Sequence, residues 1–214
     1  MKSGQYGLYM PNPANPTEAA ENYRKLFEDP NQAPMEAIFM KGYAVISDAH
    51  TANNYEIWFN PNHVSLGWPQ PGRLSPTSFF ADICEDYTNP GDTTLLATVA
   101  DGDEDYVGYD PNREYIKYNK PYDIYKNKDA RLWGSVILPG TMWKNTEIVM
   151  QAGYIQPDGT PTLLEKNKID VNGTTYHTYG AANAEGYSGF DPSGGNHSRT
   201  GMSFKKFLKQ GTDV

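Results

Sequence analysis

One cysteine, no long apolar run and no basic cluster: these shortages bound the 214-residue chain before any motif is read. Cys84, standing alone, can form neither an internal disulfide nor a cysteine-based zinc site. No stretch of about 18 apolar residues occurs, so no transmembrane helix is expected. The opening MKSGQYGLYMPNP has no apolar centre and does not read as a secretory signal. Lys and Arg number 18 against 26 Asp and Glu, a formal charge of −8, so nucleic acid would be repelled in most orientations.

Catalytic and metal signatures are equally sparse. His50, His63, His177 and His197 show no metal spacing, and no nucleophile-elbow motif supports a Ser-His-Asp triad. GGNHSRTG lacks the Gly-Lys-Ser/Thr of a phosphate loop. Carboxylate pairs for glycoside cleavage are always available among 26 acids, but none sits where its pKa would clearly rise. No enzyme is therefore expected. DGDEDYVGYDPN sets Asp101, Asp103 and Asp105 at alternate positions of a calcium loop, yet Tyr106 stands where Gly is needed and Asn112 where Glu is needed. No cofactor is expected, calcium at that turn being the one remaining candidate.

What the chain does have is rings and turns: 16 Tyr, 8 Phe and 4 Trp, with 20 Gly and 16 Pro. That mixture predicts a single lobe over residues 1–214 with much loop between short elements. TEAAENYRKLF, 17–27, reads as a helix capped by Thr17, with Ala20, Tyr23 and Phe27 on one face. AIFMKGYAVI, 37–46, and RLWGSVILP, 131–139, read as strands. A helix opening at Pro76–Thr77 would gather Phe79, Phe80, Ile83, Cys84 and Tyr87 on one face and bury the thiol as a small hydrophobe. Asp158-Gly159 and Asn172-Gly173 signal hairpin turns, and SFKKFLKQ reads as a short basic helix.

Residues 47–76 form a polar, aromatic, proline-rich stretch long enough for a functional loop. Within it, Tyr55, Trp58, Phe59 and Trp68 alternate with Asn53, Asn54, Asn60, Asn62, His63 and Arg73. Sugar rings lay C–H faces on aromatic planes while their hydroxyls seek amide and charged donors nearby. The candidate ligand-binding set is accordingly Tyr55, Trp58, Asn60, His63, Trp68 and Arg73, with Trp58 and Trp68 as platforms. The competing reading makes these rings a minor core beneath the loop.

Four segments carry a family resemblance. KDARLWGSVILPGTMW, 128–143, resembles the "Asp-Pro-Arg-Leu … Gly … Trp" signature of the SusD/RagB family, with Ala130 in place of the usual Pro. MEAIFMKGYA resembles that family's "Glu-hydrophobic-Ile-Phe" strand, and LSPTSFFADICEDYTNPGD its "Pro-Ser … Val-Asp-Ala-Phe … Asp-Gly" helix. HSRTGMSFKKFLKQG resembles its "Thr-Gly-Tyr-Tyr … Lys-Lys-Phe" segment, with Met202 and Ser203 replacing the paired aromatics. The four stand in order across residues 35–211.

The resemblance implies an α+β, loop-rich lobe of a mainly helical, helical-repeat fold, with few short helices and small antiparallel strands. It implies a central portion, without the lipidated N-terminal cysteine, most repeat helices and the C-terminal helices. It implies a non-catalytic protein that binds oligo- or polysaccharide on the outer face of the outer membrane, held there by a lipid anchor. Its partner would be a SusC-like TonB-dependent transporter. A carbohydrate-cleaving enzyme, or a lobe that docks on the transporter without touching sugar, are the alternatives. The signature segment itself reads as scaffold: Asp129 and Arg131 to pair or cap, Val136–Leu138 to enter the core, Trp143 to anchor.

Overall fold

The computed structural model describes residues 7–28, 35–36, 55–61, 64, 72, 74–88, 91, 112–150, 153–156, 158–163, 168–171, 174–177 and 198–211. Among these lie four helices, α1 (Pro16–Glu28), α2 (Tyr55–Phe59), α3 (Ser78–Asp82) and α4 (Ala130–Ser135), and a 3-10 turn at Asp123–Tyr125. Eight short strands follow α4 in the chain: β1 (Val136–Ile137), β2 (Met142–Trp143), β3 (Thr146–Glu147), β4 (Gly153–Ile155), β5 (Pro161–Leu163), β6 (Lys168–Val171), β7 (Thr174–His177) and β8 (Ser203–Phe204). They pair antiparallel in twos, β1 with β8, β2 with β3, β4 with β5 and β6 with β7. Short elements are what the composition calls for, and the few short helices and small antiparallel pairs are of the kind that the family resemblance implies. The strand expected at 37–46 lies outside the described residues.

α1 begins two residues earlier than its threonine suggests. Asn15, not Thr17, is the cap: its Oδ1 accepts the Glu18 N–H at 2.9 Å, while Glu18 reaches back to accept the Ala14 N–H at 2.8 Å. Pro16 then occupies the first helical position, where its missing N–H costs nothing. α4 is capped by Asp129, which accepts from Arg131 N at 2.6 Å and is gripped by the Arg131 side chain at 2.7–3.0 Å. Burial opposes ionisation of Asp129, but these contacts outweigh it and hold the carboxyl below its ordinary range. The capping role expected of the Asp129–Arg131 pair is present. The strand expected from Arg131 onward is not, because Asp129 starts a helix and only Val136 and Ile137 are extended.

α1 and α4 cross at Gly134, where a Cβ would stand 2.6 Å from the Ala20 carbonyl oxygen. From that crossing, β1 sends successive side chains to opposite sides. Val136 joins Ala81, Leu132, Leu138 and Met202, with Phe80, Cys84 and Trp133 packed around them. Ile137 joins Trp143, Ile148, Met150 and Leu208. Two core clusters thus share one two-residue strand.

Three of the four sequence segments singled out above meet here. Asp129 N donates to Glu85 O at 2.8 Å, Tyr87 N to Asn127 O at 2.7 Å, and the buried Lys128 ammonium to the carbonyls of Asp82 and Cys84. β8 pairs Phe204 with Val136, and Thr200 Oγ1 donates to Pro76 O at 2.6 Å. The Cys84 segment is helical only through Asp82, so the single apolar face does not form: Phe79, Ile83 and Tyr87 are exposed, and only Phe80 and Cys84 turn inward. Cys84 is half-buried rather than buried, its Sγ donating to Phe80 O at 3.3 Å. Both hairpins appear in the register. Val171 faces Thr174, leaving Asn172-Gly173 as the connection, and Gly159 takes φ +89 in the β4–β5 turn.

Candidate functional site

YEIWF forms α2, where the sequence reads as loop. Phe59 and Tyr55 pack on the second core cluster, and that burial supplies what five residues of local propensity do not. The helix is pinned at its end by Asn60, 3% exposed, whose Oδ1 accepts the Trp143 indole N–H at 3.1 Å. Asn60 was a candidate donor to a ligand; its burial and its bond to Trp143 instead give it a structural place. Pro61 beside it is fully buried, and Val64 N closes a turn onto Pro61 O.

Tyr55 and Trp58, three residues apart on one side of α2, are both half-buried. Tyr55 stacks on Phe59 with ring centres 3.9 Å apart and planes 13° from parallel, and burial raises its phenol pKa. His63, Trp68 and Arg73 lie outside the described residues, as do Asp101, Asp103 and Asp105. Among the described residues no group of three His, Cys, Asp or Glu is placed to hold a metal.

The rings do not stop at α2. Phe207 meets Tyr55 edge-on at 5.7 Å and Phe27 at 5.3 Å; Phe27 meets Tyr23 at 5.1 Å, and Phe59 meets Phe204 at 5.2 Å. Six rings from α1, α2 and the β8 region form one path with Phe207 near its middle. Sequence reading missed Phe207 because SFKKFLKQ looks helical. The chain instead leaves β8 through a turn in which Leu208 N donates to Lys205 O at 3.0 Å. Phe207, third in that turn, takes φ +71, a conformation ordinarily given to glycine. Leu208 is fully buried while Phe207 is 48% exposed. Anchoring Leu208 pushes the phenylalanine outward.

A depression of ≈ 180 Å³ beside α1, lined by Leu8, Met10, Tyr23 and Leu26 among others, is smaller than the roughly 300–1000 Å³ of ordinary small-molecule pockets. The aromatic path is a face rather than a pocket, the form suited to a long chain-like ligand. Among the described residues no helix is long and apolar enough to cross a membrane.

Short helices and paired strands thus carry an aromatic path of which Phe207 is the exposed member and the other five rings are half-buried. The chain belongs to the SusD family, whose model matches residues 35–214; the family is one of glycan-binding proteins in nutrient uptake. No curated protein and no solved structure matches the chain.

Proposed function

We propose that this chain is a non-catalytic glycan-binding lobe that works with a TonB-dependent transporter at the outer-membrane surface. Family membership across residues 35–214 is the observation that carries this reading. The aromatic face supports it: Tyr55 and Trp58 are half-exposed on α2, and the packing of Tyr55 and Phe59 on the second core cluster holds the helix in place before a ligand arrives. Trp68 is a second platform in this reading, with His63 and Arg73 as hydrogen-bond donors to hydroxyls. The intact protein would be tethered by a lipid anchor and would pass glycan to the transporter.

Isothermal titration calorimetry of the intact lipoprotein against a panel of neutral and acidic oligosaccharides tests it. Trp58→Ala is expected to weaken the bound glycan by about 1–3 kcal/mol while the melting temperature holds. Trp58→Ala and Trp68→Ala variants that stay folded and keep full affinity would remove this face as the site. Release of reducing ends from the bound polysaccharide would instead make the protein an enzyme.

A further inference from the structure

Lys206 stands on the exposed side of the aromatic path, immediately before Phe207. Its ammonium lies 4.0 Å from the centre of the Phe27 ring and 5.2 Å from that of Phe207. Among the described residues no carboxylate pairs with it. Glu21 and Glu28 are the acids on the facing side of α1, and both are taken by Arg24, at 2.6–2.9 Å; Glu28 also accepts Gln210 N. Burial pulls the Lys206 pKa down, and no charge among the described residues offsets that pull. An ammonium held against rings, partly desolvated and without a counter-charge among the described residues, gains when an anion arrives.

The backbone points the same way. A phenylalanine at φ +71 is strained, and the strain persists only because Leu208 is locked into the core on one side and both Lys205 N and Lys206 N are bound to Ser135 O on the other. That locked turn presents a half-exposed ring and a cation side by side, a few ångströms from Tyr55.

We propose that Lys206, Phe207 and Tyr55 form a subsite for an acidic sugar, the sugar ring lying on Phe207 with its edge toward Tyr55, whose plane stands at 82° to Phe207, and its carboxylate accepting from the Lys206 ammonium. The inference rests on the glycan-binding reading and gives it a substrate class, polysaccharides containing uronic acid. A net charge of −8 disfavours long-range attraction of such a polymer, so selectivity must come from this local cation. Arg24, 6.0 Å from the centre of the Trp143 ring, is already neutralised by two glutamates.

The test is calorimetry on the intact protein with an oligogalacturonide, its carboxyl-reduced neutral counterpart, and a sulfated galactan oligosaccharide that carries no carboxylate. The wild type should prefer the oligogalacturonide to its reduced form, and Lys206→Gln should cost that preference about tenfold or more, one charge-assisted contact, without weakening the neutral sugar. Lys206→Arg should restore it. Phe207→Ala should weaken both sugars, with unfolding curves confirming that the turn survives. Equal binding of acidic and reduced forms by the wild type, or Lys206→Gln that is folded and unchanged, overturns the subsite while leaving glycan binding intact. Tighter binding of the sulfated than of the carboxylated probe overturns the uronate assignment. Binding of no saccharide at all would bring down the glycan reading and the subsite together.

Discussion

Lys205 and Lys206 follow one another on a single turn, yet their ammonium groups end in opposite settings. Lys205 reaches inward, donates to Trp133 O at 3.2 Å and sits 5.7 Å from the centre of the Trp143 ring. Trp143 is 1% exposed, has its indole N–H satisfied by Asn60, and carries Arg24 at 6.0 Å as a second cation, itself bound by two glutamates. Every polar group named there has a partner. Lys206, one residue on, faces a half-exposed ring in a strained turn with no carboxylate among the described residues. Both sites are cation-on-aromatic. The closed one is complete in itself and holds the fold; the open one has valence left over for a ligand.

The largest effect should come from emptying the closed site. Trp143→Ala removes the ring that joins the second core cluster, the end of α2 and two cations, and is expected to cost about 3–5 kcal/mol of stability. Chemical denaturation reads it. The substitution should also loosen the Tyr55–Trp58 face, because Asn60 loses its bond to the Trp143 indole. A loss below about 1 kcal/mol would mean that Trp143 does not organise the region, and the contrast with Phe207 would dissolve.

Gly134→Ala should come next. In an ordinary helix that change is favourable by about 1 kcal/mol. Here the new methyl would meet the Ala20 carbonyl at 2.6 Å and Tyr23 at 3.1 Å, and a backbone carbonyl has no rotamer to escape into. α1 must move off α4, at an expected net cost of about 1–3 kcal/mol, again read from denaturation curves. Since α1 supplies Tyr23 and Phe27 to the aromatic path, the open site should weaken with it. A neutral or stabilising result would show that the two helices can slide apart freely.

Much of this arrangement can be read from residue types, and its failures are instructive. Asp129 and Arg131 as a cap, both hairpins, and Trp143 as an anchor follow from local chemistry that the fold does not overrule. α2 and the β8 turn are different. YEIWF carries too little helical signal to propagate alone and becomes helical because Phe59 and Asn60 are held by residues some eighty positions away. SFKKFLKQ has helical spacing, but strand pairing of Phe204 with Val136 and burial of Leu208 impose a turn instead. Of the candidate site, Tyr55 and Trp58 share a face, Asn60 is absorbed into the core, and Phe207 was hidden by that misleading periodicity. Long-range contact decides these cases, and no window of sequence contains it.

The smallest effect, and the most specific to the closed site, is a pH dependence. Burial pushes the Lys205 ammonium down to about 8, from an ordinary value near 10.5; Glu21 pulls the other way and Arg24 adds to the fall. Below pH 8 both folded and unfolded chains hold this proton, and the folded state bears the full penalty of a buried charge. Between about 8 and 10.5 the unfolded chain keeps the proton that the folded one has released, so stability rises with pH across that window. The neutral amine still donates to Trp133 O, so the hydrogen bond survives the change. Other groups oppose the trend: burial holds the Tyr125 phenol up at about 12 and raises the Cys84 thiol, so each favours unfolding as pH climbs past its ordinary value. The clean measurement is therefore the difference between wild type and Lys205→Met, which removes one titration and leaves the others. That difference should shift in favour of the wild type from pH 8 to 10.5, and Lys206→Met, carrying the milder depression of the open site, should show a smaller shift. Equal slopes for the two variants would mean that the inward and outward lysines share one environment, and the distinction between the closed and open sites would fail.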